Sequence, residues 1–344
     1  MKEEFLSLGD FVPQSMLVTE EHLVEKAKFP AIDAHNHLGS AFWYFEDVKK
    51  LVDLMDYCNI KTIVNLDGGW GDKLKESIEH YKESYPDRFA ILANIDWDWA
   101  LEGDVGERAA AQVEESVKAG AQGLKIFKNL GLTVRDREGK LLRPDEERLS
   151  PLWAKLAELG VPVLFHIADP MAFFRPVDRF NERWEELHAH PDWSFYGPEF
   201  PSFQELMEQQ EHLVAQNPST TFISAHVGSS AENLKFASRL LEAYPNYYVD
   251  ISERIGELGR QPYSSRRFFL EHKDKILFGT DRPPALGWYG KYFRFLETAD
   301  EHFDYGIEET PRQGRWRIYG IFLPDEVLEA VYHLNAERVF PGMN

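Results

Sequence analysis

Eight short apolar runs, each followed by a stretch of different rhythm, restrict what this chain can fold into more than any other feature. They are AIDAHNHL (31–38), KTIVNLDG (61–68), FAILANID (89–96), GLKIFK (123–128), VPVLFHI (161–167), TFISAHVG (221–228), YYVDIS (247–252) and ILFGTD (276–281). They are rich in β-branched and aromatic residues, the pattern of parallel strands buried on both faces. Helical spacing fills the gaps between them. EDVKKLVDLMDYCN sets Val48, Leu51, Val52 and Met55 at 3.6-residue intervals. ERAAAQVEESVKAG runs up to Gly120, a residue suited to ending a helix. SPLWAKLAELG offers Ser150 as N-cap, Pro151 at the first helical position and Gly160 past the end. AENLKFASRLLEAYP is a further helix of this kind. Eight strands alternating with helices predict an α/β fold, the (β/α)8 TIM barrel. The 344 residues suit one such domain, spanning 31–344, with residues 1–30 as a lead-in. A hydrophobic content of 43% supplies the large core a barrel needs and excludes global disorder.

Two connections break the rhythm. Residues 168–202 follow the fifth run and residues 282–320 follow the eighth. Both leave from strand C-terminal ends, the face where barrel enzymes carry their active sites. Connections this long inside a compact domain are usually functional. The first is therefore expected to act as a lid, offering Arg175, Arg179 or Trp193 to a substrate.

Charge and cysteine content narrow the partners. With 38 basic and 58 acidic residues the net charge is -20, so binding along a nucleic-acid backbone is disfavoured over most of the surface. Small molecules see only the local pocket and stay open. Cys58 is the single cysteine, so no intramolecular disulfide forms and nothing demands an oxidising compartment. Its place in a helical segment reads as a buried structural thiol. The N-terminal MKEEFLSLGDFVPQ lacks an apolar core of signal-peptide length, and no later run reaches transmembrane length. The expectation is a cytoplasmic protein, unless a leader has been removed, that acts on a small molecule, with self-association left open.

The polar residues fall where the strands end. His35 and His37 close the first run one residue apart, on the face shared with Asp33. His166 closes the fifth run, His226 the sixth and Asp281 the eighth. In a closed barrel these ends converge on one axis. A strand interior is a costly place for an unpartnered imidazole. Imidazole nitrogen and carboxylate oxygen are ligands that zinc and similar divalent ions accept. Three histidines and one aspartate leave a position for water, whose pKa such an ion lowers from about 16 to ~7. His226 is then the spare histidine, available as an acid/base group. Singly, His166 also fits a core histidine and Asp281 a turn residue; the joint pattern favours the metal.

This arrangement resembles the amidohydrolase superfamily. DAHNHL, GLKIFK and FGTDRP are most similar to the amidohydrolase-related branch, which includes aminocarboxymuconate-semialdehyde decarboxylases, resorcylate decarboxylases and pyrone-dicarboxylate lactonases. The resemblance spans about residues 31–340. It implies that His35, His37, His166 and Asp281 ligate a divalent metal, usually zinc and sometimes manganese. It implies that His226 is a general acid/base or polarises the substrate, and that Asp281 takes a proton from metal-bound water in hydrolytic members. Binuclear members carry a carboxylated lysine or a glutamate at the end of strand four, where this chain offers Lys125 and Lys128. One metal is the expectation, as in the related branch; a second, on a carboxylated lysine, is the alternative. Lys125 would otherwise bind a substrate carboxylate or oxyanion, or snorkel to solvent. Arg254 and Arg282, after strands seven and eight, would each clamp a carboxylate or pair with a neighbouring acid. Phe42, Trp43, Tyr44, Trp70, Trp97 and Trp99 follow the first three strands and either wall a pocket or seal the barrel top. The leading expectation is a metal-dependent hydrolase of an ester, lactone or amide. Its rivals are a non-oxidative decarboxylase or hydratase of a carboxylated substrate, and a ligand-binding barrel without catalysis.

Overall fold

The structure, a computed structural model, describes residues 6–39 and 47–343. All eight apolar runs form strands: β1 Ala31–Asn36, β2 Ile60–Asn65, β3 Phe89–Ile91, β4 Leu124–Ile126, β5 Val163–Phe165, β6 Phe222–Ser224, β7 Tyr247–Asp250 and β8 Ile276–Leu277. Every pairing is parallel, in the orders β1-β2-β3 and β4-β5-β6-β7-β8. Ala93 bridges Leu124, and the Lys125 N–H donates to the Ala93 carbonyl at 2.8 Å, joining the two sets. On the other side the Ala34 N–H donates to the Phe278 carbonyl at 2.9 Å and the Asp281 N–H to the His35 carbonyl at 2.8 Å. The sheet thus closes into the predicted barrel. The paired strands are shorter than the runs, from two residues in β8 to six in β1, because each run bends early into the loop that carries its polar residue.

Ile32, Val64, Leu164, Ile223 and Leu277, from five different strands, pack with Leu92 just after β3 into one small apolar cluster, which only the barrel interior can bring together. Val339, Phe340 and Met343 of the C-terminal segment join that cluster, and Lys61 at the start of β2 donates to the Met343 carbonyl. The C-terminal segment therefore plugs the N-terminal end of the barrel. The larger core lies outside, between the strands and the helices.

The helices follow the sequence spacing. Val48–Cys58 buries Leu51, Val52, Met55 and Cys58, is capped by the Asp47 side chain, and ends at Asn59 with φ 62°. Burial raises the Cys58 thiol to about 11, which leaves it an inert core residue. In Ser150–Leu159 the predicted cap is displaced. A turn at Glu147–Leu149 already supplies helical backbone, so Ser150 is the first helical residue and Leu149 the cap; Gly160 ends the helix as expected. Among the described residues no helix or strand precedes Ala31, and no helix is long and apolar enough to cross a membrane.

The 168–202 connection contains short helical turns at Met171–Phe174, Trp184–Ala189 and Pro191–Trp193. It is fastened on the C-terminal face. The fully buried Arg183 pairs with Glu186 at 2.7 Å and with Glu257, which lies in the helix Ile255–Arg260 after β7. Arg260 pairs with Glu182 at 2.9 Å, and Arg315 with Glu185 at 2.9 Å. The segments after β5, β7 and β8 are thereby stapled together above the strand ends.

Candidate metal centre

His35 and His37 leave the end of β1, whose pairing with β2 shifts between Asp33 and Asn36. That irregularity breaks simple alternation. Asp33, expected on the face of the two histidines, is instead bonded to Asn36, Thr280 and Tyr289. The histidines turn to Asp281 after β8. His37 Nε2 lies 3.3 Å from Asp281 Oδ1, and His35 Nε2 lies 3.8 Å from Asp281 Oδ2. Ligand atoms of these three side chains all fall within 4.8 Å of one another, close enough to share one ion.

The opposite edge of each ring is fixed. His35 Nδ1 lies 2.8 Å from Asp250 Oδ2, and His37 Nδ1 lies 2.7 Å from Asp67 Oδ1. A carboxylate on Nδ1 sets the tautomer and directs Nε2 inward, as the outer partners of metal-bound histidines do. Burial holds His35 below its ordinary pKa despite Asp250, so it stays neutral. Burial would raise Asp281, but His35, His37 and Lys125 around it hold the carboxylate below its usual range. Neutral nitrogens and an ionised oxygen fit a divalent cation.

His226 is the fourth side chain at this point. Its Nε2 lies 3.7 Å from Asp281 Oδ2. Its Nδ1 donates to the Ser252 carbonyl at 2.9 Å, and its backbone N–H donates to Asp250 Oδ1 at 2.9 Å. Burial, with His166 and Arg254 adding to it, holds His226 well below the ordinary imidazole value. His166 packs edge-on against His226 with ring centres 4.4 Å apart. Its Nε2 is turned to the Ala168 carbonyl at 3.1 Å and Asp169 at 3.4 Å, so it stands beside the three-residue cluster, outside the 4.8 Å group. Burial lowers it to about 4. Non-glycine residues adopt left-handed backbone at these strand ends: His226 (φ 60°), Val227 (57°), Glu253 (54°) and Asp281 (53°). Such strain costs about 1–3 kcal/mol per residue and gathers at functional sites.

Lys125 sits in mid-β4 and is 2% exposed, which removes the snorkelling alternative. Burial lowers its ammonium to about 8, against the pull of Asp281, Asp250 and Asp67. Lys128 is committed to Asp169 at 2.5 Å. Arg254 is buried beside His226, and its Nη1 donates to the Glu253 carbonyl at 2.7 Å. Arg282 is already paired with Glu253 (Nη2 to Oε2, 2.8 Å) and lies over the Trp288 ring. Burial still pushes Glu253 up to about 7.

Two cavities open at these strand ends. One, of ≈ 480 Å³, is lined by Asp67, Trp70, Trp97, Lys125 and Phe127. The other, of ≈ 320 Å³, lies under the 168–202 segment and is lined by Glu186, His190, Trp193, Glu253 and Arg282. Trp193 thus reaches a cavity beside the site; Arg175 faces a separate outer hollow and Arg179 stacks on Phe180. Trp99 lines a neighbouring groove with Trp70. Phe42, Trp43 and Tyr44 lie outside the described residues. The sequence reading passed over Asp67, Asp250, Ser252 and Glu253. Asp67 and Asp250 stand in quoted runs, and an acid at the end of a buried strand was the available signal.

The family model described as amidohydrolase matches residues 81–342. No curated protein sequence matches the chain. Among solved structures, a 2,6-dihydroxybenzoate decarboxylase in complex with 2,6-dihydroxybenzoate is 16% identical, covering 91% of this chain and 99% of its own, with a TM-score of 0.58. The 2,6-dihydroxybenzoate decarboxylase from Rhizobium is 17% identical over 90% of this chain and 98% of its own, TM-score 0.56. A dihydroxybenzoic acid decarboxylase from a Polaromonas species, with bound manganese and the inhibitor 2-nitroresorcinol, is 16% identical over 90% and 96%, TM-score 0.56. At this identity the structures speak for the fold. The family match extends over most of the chain, and the residues it spans include His166, His226 and Asp281 at the ends of closed-barrel strands: the protein belongs to the amidohydrolase family.

Proposed function

We propose that this chain is a metal-dependent, non-oxidative decarboxylase of a hydroxylated aromatic acid or a similarly conjugated carboxylate. The observation that carries the reading is the buried Lys125, a cation below about pH 8, set among the acids of the donor cluster and lining a cavity of ≈ 480 Å³. Because it lines that cavity, the ammonium is placed to pair with a substrate carboxylate as well. Buried Arg254 beside His226 adds a second positive group. The decarboxylases of like fold support the reading further. We favour it over the hydrolase expected from sequence because the three solved structures of like fold named above are decarboxylases.

His35, His37 and Asp281 would hold the ion, with His166, packed against His226 beside them, as the further donor expected from sequence. When bound, zinc or manganese supplies Lewis acidity and orients the carboxylate. Asp250 and Asp67 keep the two β1 histidines in register. Breaking the carbon–carboxylate bond leaves its electron pair on the ring carbon, which takes a proton as carbon dioxide departs. His226, neutral with its Nδ1 proton on Ser252, presents Nε2 toward Asp281, so these two side chains are placed to hold that proton. Trp193 and neighbouring residues of the 168–202 segment line the second cavity. The test incubates the protein, stripped and then reloaded with zinc or manganese, with 2,6-dihydroxybenzoate and related acids. Metal-dependent carbon dioxide release is expected. Hydrolysis of esters or lactones with no carbon dioxide from any acid would restore the hydrolase.

A further inference from the structure

Residues 6–23 form an unbroken exposed stretch, an extended arm lying on the barrel. The arm is held at few points. Arg315 donates to the Phe11 carbonyl, Glu21 pairs with Arg294 at 3.3 Å, and His22 binds Asp300 through its backbone N–H (2.8 Å) and its ring (2.5 Å). Among the described residues no backbone–backbone hydrogen bond forms between Phe11 and Ala27. Yet the arm is not polar. It carries Leu6, Leu8, Phe11, Val12, Met16, Leu17, Val18 and Leu23, with Met16 and Leu23 84% exposed and Val18 fully so. A free arm is normally rich in charge and poor in such side chains. Contiguous exposed apolar surface of this size marks an interaction site.

The body beside the arm offers a matching surface. Asp300, the anchor of His22, accepts from the Gly320 N–H, and the Phe322 N–H donates to Thr298, which places Phe322, 60% exposed, next to the arm. Arg266 in the helix Pro262–Glu271 donates to the Phe322 carbonyl, and that helix exposes Tyr263 (90%), Arg267 and Leu270 one turn after another. The anchored end of the arm at His22 is thus linked to this face through Asp300, Gly320 and Phe322. We infer that a second copy of this chain is the partner, each arm lying across the Tyr263, Leu270 and Phe322 face of the other in a two-fold dimer. Size and charge argue for this occupant. The arm's side chains present on the order of 1,000 Å², against the about 800 Å² per partner of a standard specific interface. In a chain of net charge -20, the exposed Arg267 gives this face a local positive charge that fits the arm's Glu20. A patch holding both arm and receiving face is self-complementary, as a two-fold contact requires. Because Arg315 grips both Phe11 and lid residue Glu185, the partner would also brace the lid.

The experiment is sedimentation equilibrium of the full chain at micromolar concentration, beside the double variant Leu17→Asp/Val18→Asp and the single variant Phe322→Asp. Leu17 and Val18 are exposed in the single chain, so the double variant should keep its far-ultraviolet spectrum. Phe322 has φ 42°, a conformation aspartate tolerates better than phenylalanine. A dimeric parent with both variants monomeric is expected. A monomeric parent overturns the inference, and one that instead pellets with phosphatidylglycerol vesicles reassigns the arm to a lipid surface. A dimer that survives the arm variant places the interface elsewhere, and one that survives only Phe322→Asp removes the proposed receiving face.

Discussion

At the scale of single residues, Asp250 organises the centre. One oxygen fixes His35, and the other takes the His226 N–H and the Ser252 hydroxyl. Through it a metal-binding and a proton-handling histidine share one support. His226→Asn should therefore leave metal content unchanged and lower turnover by a factor of about 10² to 10⁴, since asparagine keeps a hydrogen bond but moves no proton. Metal content and turnover on one preparation decide it; loss of metal would make His226 a ligand. Lys125 carries the pH dependence. Its ammonium is lowered to about 8, so it is charged below that value and neutral above. Affinity for an anionic substrate should fall as pH rises through about 8, appearing as an alkaline limb in kcat/KM that Lys125→Met removes. A limb that persists in the variant would assign the titration to another group. The donors of the centre were legible in sequence because histidines inside apolar runs stand out. Their supports were not, because Asp67 and Asp250 look like ordinary strand-end acids until the closed barrel sets each beside a histidine from another strand.

At the scale of elements, the lid depends on a buried ion pair. Arg183 and Glu257 are both about fully buried, and their pair joins the two segments. Removing one member of such a pair leaves an uncompensated charge and costs about 3–5 kcal/mol. Arg183→Met should lower the unfolding midpoint accordingly and speed amide exchange across residues 182–193. Arg183→Met/Glu257→Met should recover much of that loss, because both charges then leave together. A single variant that costs under about 1 kcal/mol would show that the Glu182 and Glu185 pairs suffice. Strand and helix positions could be read from periodicity alone, since each element buries its own face. The path of the lid could not: Arg183 meets Glu257 seventy-four positions away, and no local pattern encodes that meeting. Ser150 shows the same limit on a small scale, where a preceding turn took over the capping position.

At the scale of the whole molecule, the barrel is closed by residues distant in sequence. β1 is bonded to the chain just after β8, and the interior is plugged from below by Val339, Phe340 and Met343. Phe340→Ala should cost about 3–5 kcal/mol through the cavity it leaves. The metal should still bind, because the plug sits at the end of the barrel opposite His35, His37 and Asp281. Calorimetric unfolding with a parallel metal titration checks both halves, and loss of metal affinity in a folded variant would couple the two ends. Alternation of eight runs disclosed this architecture, whereas the plug, a helix end with nothing to distinguish it in composition, did not show. The same closure orders events during synthesis. A growing chain exposes His35 and His37 early, while Asp281 and the plug leave the ribosome much later. The nascent protein therefore holds an incomplete donor set until the eighth strand is made. Loading of the cation belongs to the finished chain, after the first strand has waited for the eighth.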